Sequence, residues 1–484
     1  MKKSIVNLPD QKSAGRRNLK AIAEHLDFEM PQHLSDLGEG RSYYVRTYGC
    51  QANVRDGETI SGLLEEMHFH PAQSEEDADL LIFNTCAIRK AAEDHVLGEI
   101  GNLKPLKIKH PEKIFAVCGC MAQEEGIVRD LIEKYPQVDL VFGTHNLHEL
   151  PELLEAVMKG ERRIAVYSEE GKIIEGLPSR RIKPYKAFVN IMYGCDKFCT
   201  YCIVPYTRGK QRSRRVEDIL REIRTFKEQG GREIQLLGQN VNAYGKDLGM
   251  EDGFTKLLEA CAETGIDRIR FYTSHPRDYS ITTIEAMQKY PSVMKSLHLP
   301  VQSGSDEVLR RMNRGYTSAD YRHLVDEMKA RIPDITFTTD LIVGFPGETD
   351  EQFRETLDLV DYCQFDSAFT FIFSAREGTP AAKFEDHLSQ DVKKERLQML
   401  NDRIGLYAKK NNDAYVGRTL KVLCEGPSRK RADVFSGYSE ENKLVNFTGH
   451  DLKEGEIYDV LITGAKSYTL DGEAVSGHLE NKEI

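Results

Sequence analysis

The sequence predicts an α/β protein in three parts: an N-terminal open parallel α/β sheet domain, a central partial (β/α) barrel and a small C-terminal β-barrel. Three observations predict it. Short apolar runs alternate with helical periodicity between residues 41 and 160, and again between 185 and 413. Past Gly417 the pattern changes to short alternating strands separated by turn residues. Six cysteines fall at the ends of apolar runs: Cys50, Cys86 and Cys120 in the first part, and Cys195, Cys199 and Cys202 in the second.

At 484 residues, the chain is long enough for about three domains. With 40% hydrophobic and 30% charged residues, it has the composition of a globular protein with ample core. No apolar run approaches the roughly 18 residues of a membrane span. Two lysines open the chain, but no apolar stretch follows them, so no signal peptide is expected and the expected location is cytoplasmic. Ten cysteines in a chain of this length are not a disulfide framework, and a reducing compartment favours thiolate ligands. The net charge of −11 argues against gross, non-specific nucleic-acid binding.

Residues 1–40 read as an N-terminal extension with no assigned function, in which Asn18 to Phe28 could form one or two amphipathic turns. Between 41 and 160, strands are expected at Tyr43–Tyr48, Leu80–Asn84, Ile114–Val117 and Leu140–Phe142. Helices follow, such as 87–103 and 121–134. Parallel strands end at one edge of a sheet, where ligand sites gather. Cys50, Cys86 and Cys120 follow the first three strands, so three thiols distant in sequence should converge. A single strand-end cysteine is more often a small buried hydrophobe, and Cys118, inside its strand, is assigned to the core. Residues 161–184 have no clear period and read as a linker.

Six βα units follow, with strands expected at 188–193, 232–238, 268–273, 296–301, 335–343 and 367–373. Ile219, Ile223 and Phe226 share a helix face, as do Phe254, Leu257, Leu258 and Cys261. The Cys-x3-Cys-x2-Cys run closes the first strand, on the face where barrel sites lie. Three thiolates within eight residues can close on one soft metal centre. Structural zinc needs four closed positions, and only three ligands are evident. Polar and glycine-rich stretches follow the other strands: Leu237–Asn240, Ser274–Pro276, Pro300–Ser305, Asp340–Glu348 and Ser374–Pro380. Each alone is an ordinary turn; together they describe loops round one cavity. A basic run, Arg208, Lys210, Arg212, Arg214 and Arg215, comes directly after the cysteines. Arg429, Lys430 and Arg431 form another patch, on a loop of the C-terminal barrel. Ser179–Lys183 is a third. The last two alone read as solvated charged faces.

These residues together resemble the radical S-adenosylmethionine (SAM) methylthiotransferase family. Cys195-x3-Cys199-x2-Cys202 heading a partial barrel is similar to the radical SAM signature. Gly49-Cys50, Asn84-Thr85-Cys86 and Gly119-Cys120-Met121-Ala122-Gln123 resemble the methylthiotransferase domain, and the C-terminal barrel resembles the TRAM RNA-binding module. The resemblance covers roughly 43–480, with all three parts in the family's order. It implies a methylthiotransferase domain over 41–160, a radical SAM partial barrel over 185–413 and a TRAM-like barrel over 414–480. Thr47–Asn53 and Leu237–Asn242 look like the MiaB branch. Ala52 stands where that branch commonly has Met, and Gly57 where Ser or Thr is usual.

The resemblance implies conversion of N6-isopentenyladenosine beside a tRNA anticodon to its 2-methylthio derivative. It implies two [4Fe-4S] clusters, one on Cys50, Cys86 and Cys120 and one on Cys195, Cys199 and Cys202. It also implies SAM as both radical source and methyl donor. By motif position, Gly238, Gln239 and Asn240 are expected near the SAM amino group. Gln302, Ser303 and Asp340 are expected as further polar contacts, and Val343 and Gly344 against the adenine. The basic run and Arg429–Arg431 are expected to bind tRNA phosphate. A flavodoxin- or ferredoxin-like electron donor, and sulfur or cluster delivery proteins, are implied for a monomeric chain. Two other readings remain: a family member acting on threonylcarbamoyladenosine or on a ribosomal protein, and a non-enzymatic RNA-binding protein with structural zinc.

Overall fold

Among the described residues, nine strands precede the central part: β1 (Ser4–Asn7), β2 (His25–Asp27), β3 (Ser42–Tyr48), β4 (His70–Pro71), β5 (Leu80–Thr85), β6 (Ile114–Cys118), β7 (Leu140–Phe142), β8 (Arg162–Ala165) and β9 (Ile173–Glu175). The structure is a computed structural model, and it describes residues 4–10, 23–87, 90–168, 172–428 and 431–475. Seven strands form one sheet in the order β1-β8-β7-β6-β5-β3-β4. Every pair in it is parallel. β5 and β6 are buried along their whole length, as strands covered on both faces must be. Ile60, Leu63 and Leu64 of helix Gln51–Glu66 pack on one face, with Cys118 in the same core. Val96, Ile100, Val128 and Leu131 pack on the other.

Two stretches differ from expectation. Residues 1–40 are not a bare extension, because β1 joins the sheet edge and β2 pairs with β9 through His25↔Ile173. Residues 18–22 lie outside the described residues, and His25–Asp27 is strand rather than helix. Residues 161–184 are not only a linker, because β8 sits between β1 and β7. β8 begins Arg162-Arg163, so no apolar run marks it. Arg162 instead donates to the carbonyls of Leu131, Ile132, Tyr135 and Val138.

The central part contains β10 (Lys186–Asn190), β11 (Met192–Tyr193), β12 (Arg212–Ser213), β13 (Glu233–Leu237), β14 (Arg268–Phe271), β15 (Ser296–His298), β16 (Thr336–Val343) and β17 (Ser367–Ile372). Parallel β10-β13-β14 and β15-β16-β17 are its two arcs, with an Ile269–Val293 bridge where β14 leads toward β15. Helices Val216–Glu228, Gly253–Glu263, Ile281–Lys289, Ser318–Arg331, Asp350–Cys363 and Gln390–Asp413 are interleaved with these strands or follow them. Antiparallel β11 and β12 close the excursion that carries Cys195, Cys199 and Cys202.

The C-terminal strands β18 (Thr419–Ser428), β19 (Arg431–Ser439), β20 (Leu444–Thr448), β21 (Ile457–Ala465) and β22 (Thr469–Ala474) form a closed barrel. Its β19–β20 turn docks where the central strands begin, opposite the cysteines. Arg268 and Arg270 donate to the Ser439 carbonyl, and Thr336 Oγ1 donates to the Glu441 carbonyl. Lys443 pairs with Asp366 at 2.6 Å.

A four-charge cluster clasps the first two parts. Glu222 accepts from Arg214 at 2.8 Å and from both Arg55 and Arg181 at 3.2 Å. Burial alone would raise its carboxyl. Arg214, Arg55 and Arg181 outweigh burial and hold it at about 2, below the ordinary 4.5. A depressed carboxyl stabilises the fold fully above the unfolded value, and that stability is lost as pH falls from about 4.5 toward 2. Glu222→Gln is expected to cost about 3–5 kcal/mol at neutral pH, because it strands buried guanidiniums. Urea unfolding of both proteins from pH 7 down to 3 checks this: the difference should shrink toward the acid end.

Candidate metal centres and cofactor cavity

The N-terminal cysteines meet at the edge where parallel strands end. Cys50 occupies the N-cap of helix Gln51–Glu66, Cys86 directly follows β5, and Cys120 opens the 3-10 turn after β6. Asn53 gathers them, with its Oδ1 3.5 Å from Cys50 Sγ and 3.9 Å from Cys120 Sγ. Asn84 Nδ2 holds Asn53 in place by donating to its carbonyl at 2.7 Å. Gly49 has φ +128°, and a Cβ there would lie 2.3 Å from Cys86 Cβ, so glycine is required for the approach. A hydrogen bond from Cys86 pulls the Cys50 thiol down to about 6 against burial, with help from Arg208. Burial pushes Cys120 up to about 11, although Arg208 opposes it.

The second set lies in the loop closed by β11 and β12. Gly194 has φ +71°, and a Cβ there would fall 2.0 Å from the Lys210 carbonyl, so the two limbs of the loop touch. Cys195 N–H donates to the Gly209 carbonyl at 3.1 Å, and Lys197 N–H donates to Cys195 Sγ at 3.4 Å. Arg314 donates to Cys199 Sγ at 3.4 Å and to the Pro300 carbonyl at 2.7 Å. Burial pushes Cys195 up to about 12 and Cys202 higher still, so metal binding by these thiols would release protons to solvent.

The loops that follow β13 and β14 carry buried polar atoms with no protein partner: Gln239 Oε1, Asn240 Oδ1, Ser274 Oγ and His275 Nε2. Buried polar atoms are normally bonded, so a ligand with several donors and acceptors fits here. Asp278 is ringed by Lys197 at 2.9 Å, Asn240 at 2.6 Å and Lys246 at 2.7 Å. Burial would raise its carboxyl, but these bonds hold it at about 2. The donor set therefore suits a soft iron–sulfur group at each triad and a polar cofactor between the strand ends. Beside the N-terminal triad stand Asn53 and Arg208.

Not every expected residue stands among these unpartnered atoms. Ser303 is fully buried with its hydroxyl 3.2 Å from that of Thr356, so it ties its loop to helix Asp350–Cys363. Val343 packs with Leu341 in the barrel core, because alternation along β16 turns Ile342 to the opposite face. Gly344 has φ +68° and closes on Lys393. Asp340 lies 3.5 Å from His298 Nε2. Gln302 bridges to β16 by donating its N–H to the Asp340 carbonyl at 2.8 Å, and Gly238 packs on Met192.

The basic run departs most from expectation. Arg208, Lys210, Arg212 and Arg214 are each at least 93% buried, so they are not a phosphate-facing surface. Arg208 donates to Asp56 at 2.6 Å and Arg214 to Glu175 at 2.6 Å. Arg215 is exposed and bonded to Asp218, and Arg431 is exposed beside Asp433. Arg429 and Lys430 lie outside the described residues. Sequence reasoning missed Asn53, Asp278 and Arg314. Asn53 stands three residues after Cys50, a spacing that places it over the same helix turn; Arg314 carries no such signal.

The parallel sheet, the partial barrel with its three-cysteine loop and the closed β-barrel define the radical SAM class with an added RNA-binding-type module. The Radical SAM superfamily model matches residues 189–360, the uncharacterized protein family UPF0004 matches 42–143, and the TRAM domain matches 413–475. Two curated relatives are named tRNA-2-methylthio-N(6)-dimethylallyladenosine synthase. The one from Anoxybacillus flavithermus is 51% identical over 98% of this chain and 90% of its own length. The one from Bacillus subtilis is 50% identical over 98% of this chain and 94% of its own. Among solved structures, the radical SAM methyltransferase TsrM from Kitasatospora setae has the same fold (TM-score 0.50, 14% identity, 70% of this chain and 76% of that one). The chain belongs to the MiaB-type tRNA methylthiotransferase family of radical SAM enzymes.

Gly49→Ala tests the N-terminal convergence. Its Cβ must displace Cys86, so iron after anaerobic reconstitution should fall from about eight toward about four per chain. Iron analysis checks this, with circular dichroism to confirm an intact fold.

Proposed function

We propose that this chain converts N6-isopentenyladenosine beside the anticodon of tRNA to 2-methylthio-N6-isopentenyladenosine. The observation that carries the reading is the pair of cysteine triads at strand ends, with Cys86, Cys120, Cys195 and Cys199 buried, together with the unpartnered polar atoms of the loops after β13 and β14. The relatives' names supply the substrate.

Replacing an aromatic C–H at adenine C2 by C–S–CH3 lies beyond any side-chain acid or base. Two [4Fe-4S] clusters and SAM supply that chemistry: radical activation of the base, sulfur and the methyl group. The chain's own part is to bind and orient. Cys195, Cys199 and Cys202 hold one cluster, and Cys50, Cys86 and Cys120 the other. The first triad would hold the cluster that serves SAM, and the second the one that serves sulfur. Asn240, fixed by Asp278, presents its free Oδ1 to the SAM amino group, with Gln239, Ser274 and His275 beside it. Gln302 and Asp340 would add polar contacts from the β15–β16 arc. The closed C-terminal barrel contributes tRNA phosphate contacts, which position the RNA without choosing the base.

No helix among the described residues is long and apolar enough to cross a membrane. The free cysteines suit a reducing cytoplasm. Electrons come from a flavodoxin- or ferredoxin-like donor, and sulfur and clusters from delivery proteins.

Nucleoside analysis of tRNA from a deletion strain tests the substrate. The methylthio-isopentenyl nucleoside should disappear. Its persistence, with loss of a methylthio-threonylcarbamoyl nucleoside, would overturn the assignment. Cys199→Ala should abolish SAM cleavage. Cys86→Ala should retain some cleavage but give no methylthio product, as read by chromatography of 5′-deoxyadenosine and modified tRNA. A colourless protein holding zinc and no iron would instead support structural metal.

A further inference from the structure

Arg208 is an unusual occupant of a protein interior. It is 5% exposed, and its Nε–H donates to Cys120 Sγ at 3.0 Å while Nη2 donates to Asp56 Oδ2 at 2.6 Å. It also comes from the other half of the molecule. Only six positions separate it from Cys202 of the barrel triad, along the short helical turn Val204–Thr207. Ile203 and Tyr206 of that segment pack against Ala87 and Cys120 of the N-terminal domain. One stretch of chain thus leaves the first thiol set and delivers a guanidinium to the second. A buried guanidinium costs several kcal/mol unless matched, and here an aspartate and a cysteine sulfur match it.

We propose that Arg208 is a positioning residue of the N-terminal thiolate site, and that its N–H···S bond and positive charge, held by Asp56, raise the reduction potential of the cluster there. This rests on the cluster reading of Cys50, Cys86 and Cys120 given above. The physical reason is electrostatic. A donor aimed at a thiolate sulfur withdraws electron density, and a nearby positive charge favours the reduced cluster. Asp56 opposes both effects, so the pair sets a value between two extremes. A plain interdomain clasp would behave otherwise: cutting it from either side would loosen the same contact, with no reason for opposite electronic effects.

The test uses the full chain with Cys195, Cys199 and Cys202 changed to Ala, so that any bound iron reports the N-terminal site alone. Iron analysis comes first. A parent without iron would remove the cluster reading, and this proposal with it. EPR-monitored redox titration then compares the parent with Arg208→Met, Arg208→Lys and Asp56→Asn. The expected result is a lower midpoint potential for Arg208→Met, an intermediate one for Arg208→Lys and a higher one for Asp56→Asn. Unchanged potentials in iron-loaded Arg208→Met and Asp56→Asn, or shifts of the same sign, overturn the proposal. If Arg208→Met loses its iron, Asp56→Asn decides alone: an upward shift supports the proposal, and no shift or a downward one overturns it.

Discussion

Buried positive charge governs how this molecule is assembled. Arg208 and Arg214 lie six residues apart, both inside the protein, and each must find acceptors on the N-terminal side. Arg214 finds Glu175 on β9, and Glu222 beside it also takes Arg55 and Arg181. Arg208 finds Asp56 and Cys120. A buried guanidinium tolerates little displacement, since each lost acceptor leaves an uncompensated charge. The two halves are therefore held in one arrangement, and the distance between their thiol sets is fixed with it.

The same constraint shapes the cavity. The loop from Gly194 to Ser213 is pinned at its neck by the β11–β12 ribbon and by the close contact of Gly194 with Lys210. It is pinned again by Arg314, which reaches Cys199 and the Pro300 carbonyl. Asp278 gathers Lys197, Asn240 and Lys246 on the cavity wall. Rigid loops around unpartnered polar atoms are a preorganised site, which spares a cofactor much of the ordering cost on binding. The described contacts of the C-terminal barrel lie at the other end. Its turn at Ser439–Lys443 caps the opposite mouth and ties it to Arg268, Arg270, Thr336 and Asp366.

Much of this was legible in the linear order of residues. Apolar runs marked the main strands, because a parallel strand covered on both faces needs continuous apolar side chains. β8 escaped, since Arg162 satisfies its neighbours through hydrogen bonds rather than apolar contact. β2 and β9 are three residues each, too short for a period to show. The basic run misled for a related reason. Charge is visible in a sequence, whereas the carboxylates that neutralise it come from residues 56, 175 and 222 and meet it only through folding.

The sequence by itself determined the class of chemistry. Cysteine spacing is a local property, and Cys195-x3-Cys199-x2-Cys202 marks a soft-metal loop wherever it folds. The position of Cys50, Cys86 and Cys120 after successive parallel strands was equally readable, because such strands end at one edge. What only the tertiary structure decided is how the two sets relate. Ile203 packing on Cys120, Arg208 reaching its sulfur, and Ser303 and Val343 turning away from the cavity all depend on contacts between residues far apart in the chain. Such contacts are set by packing and charge compensation in three dimensions, which no local pattern encodes.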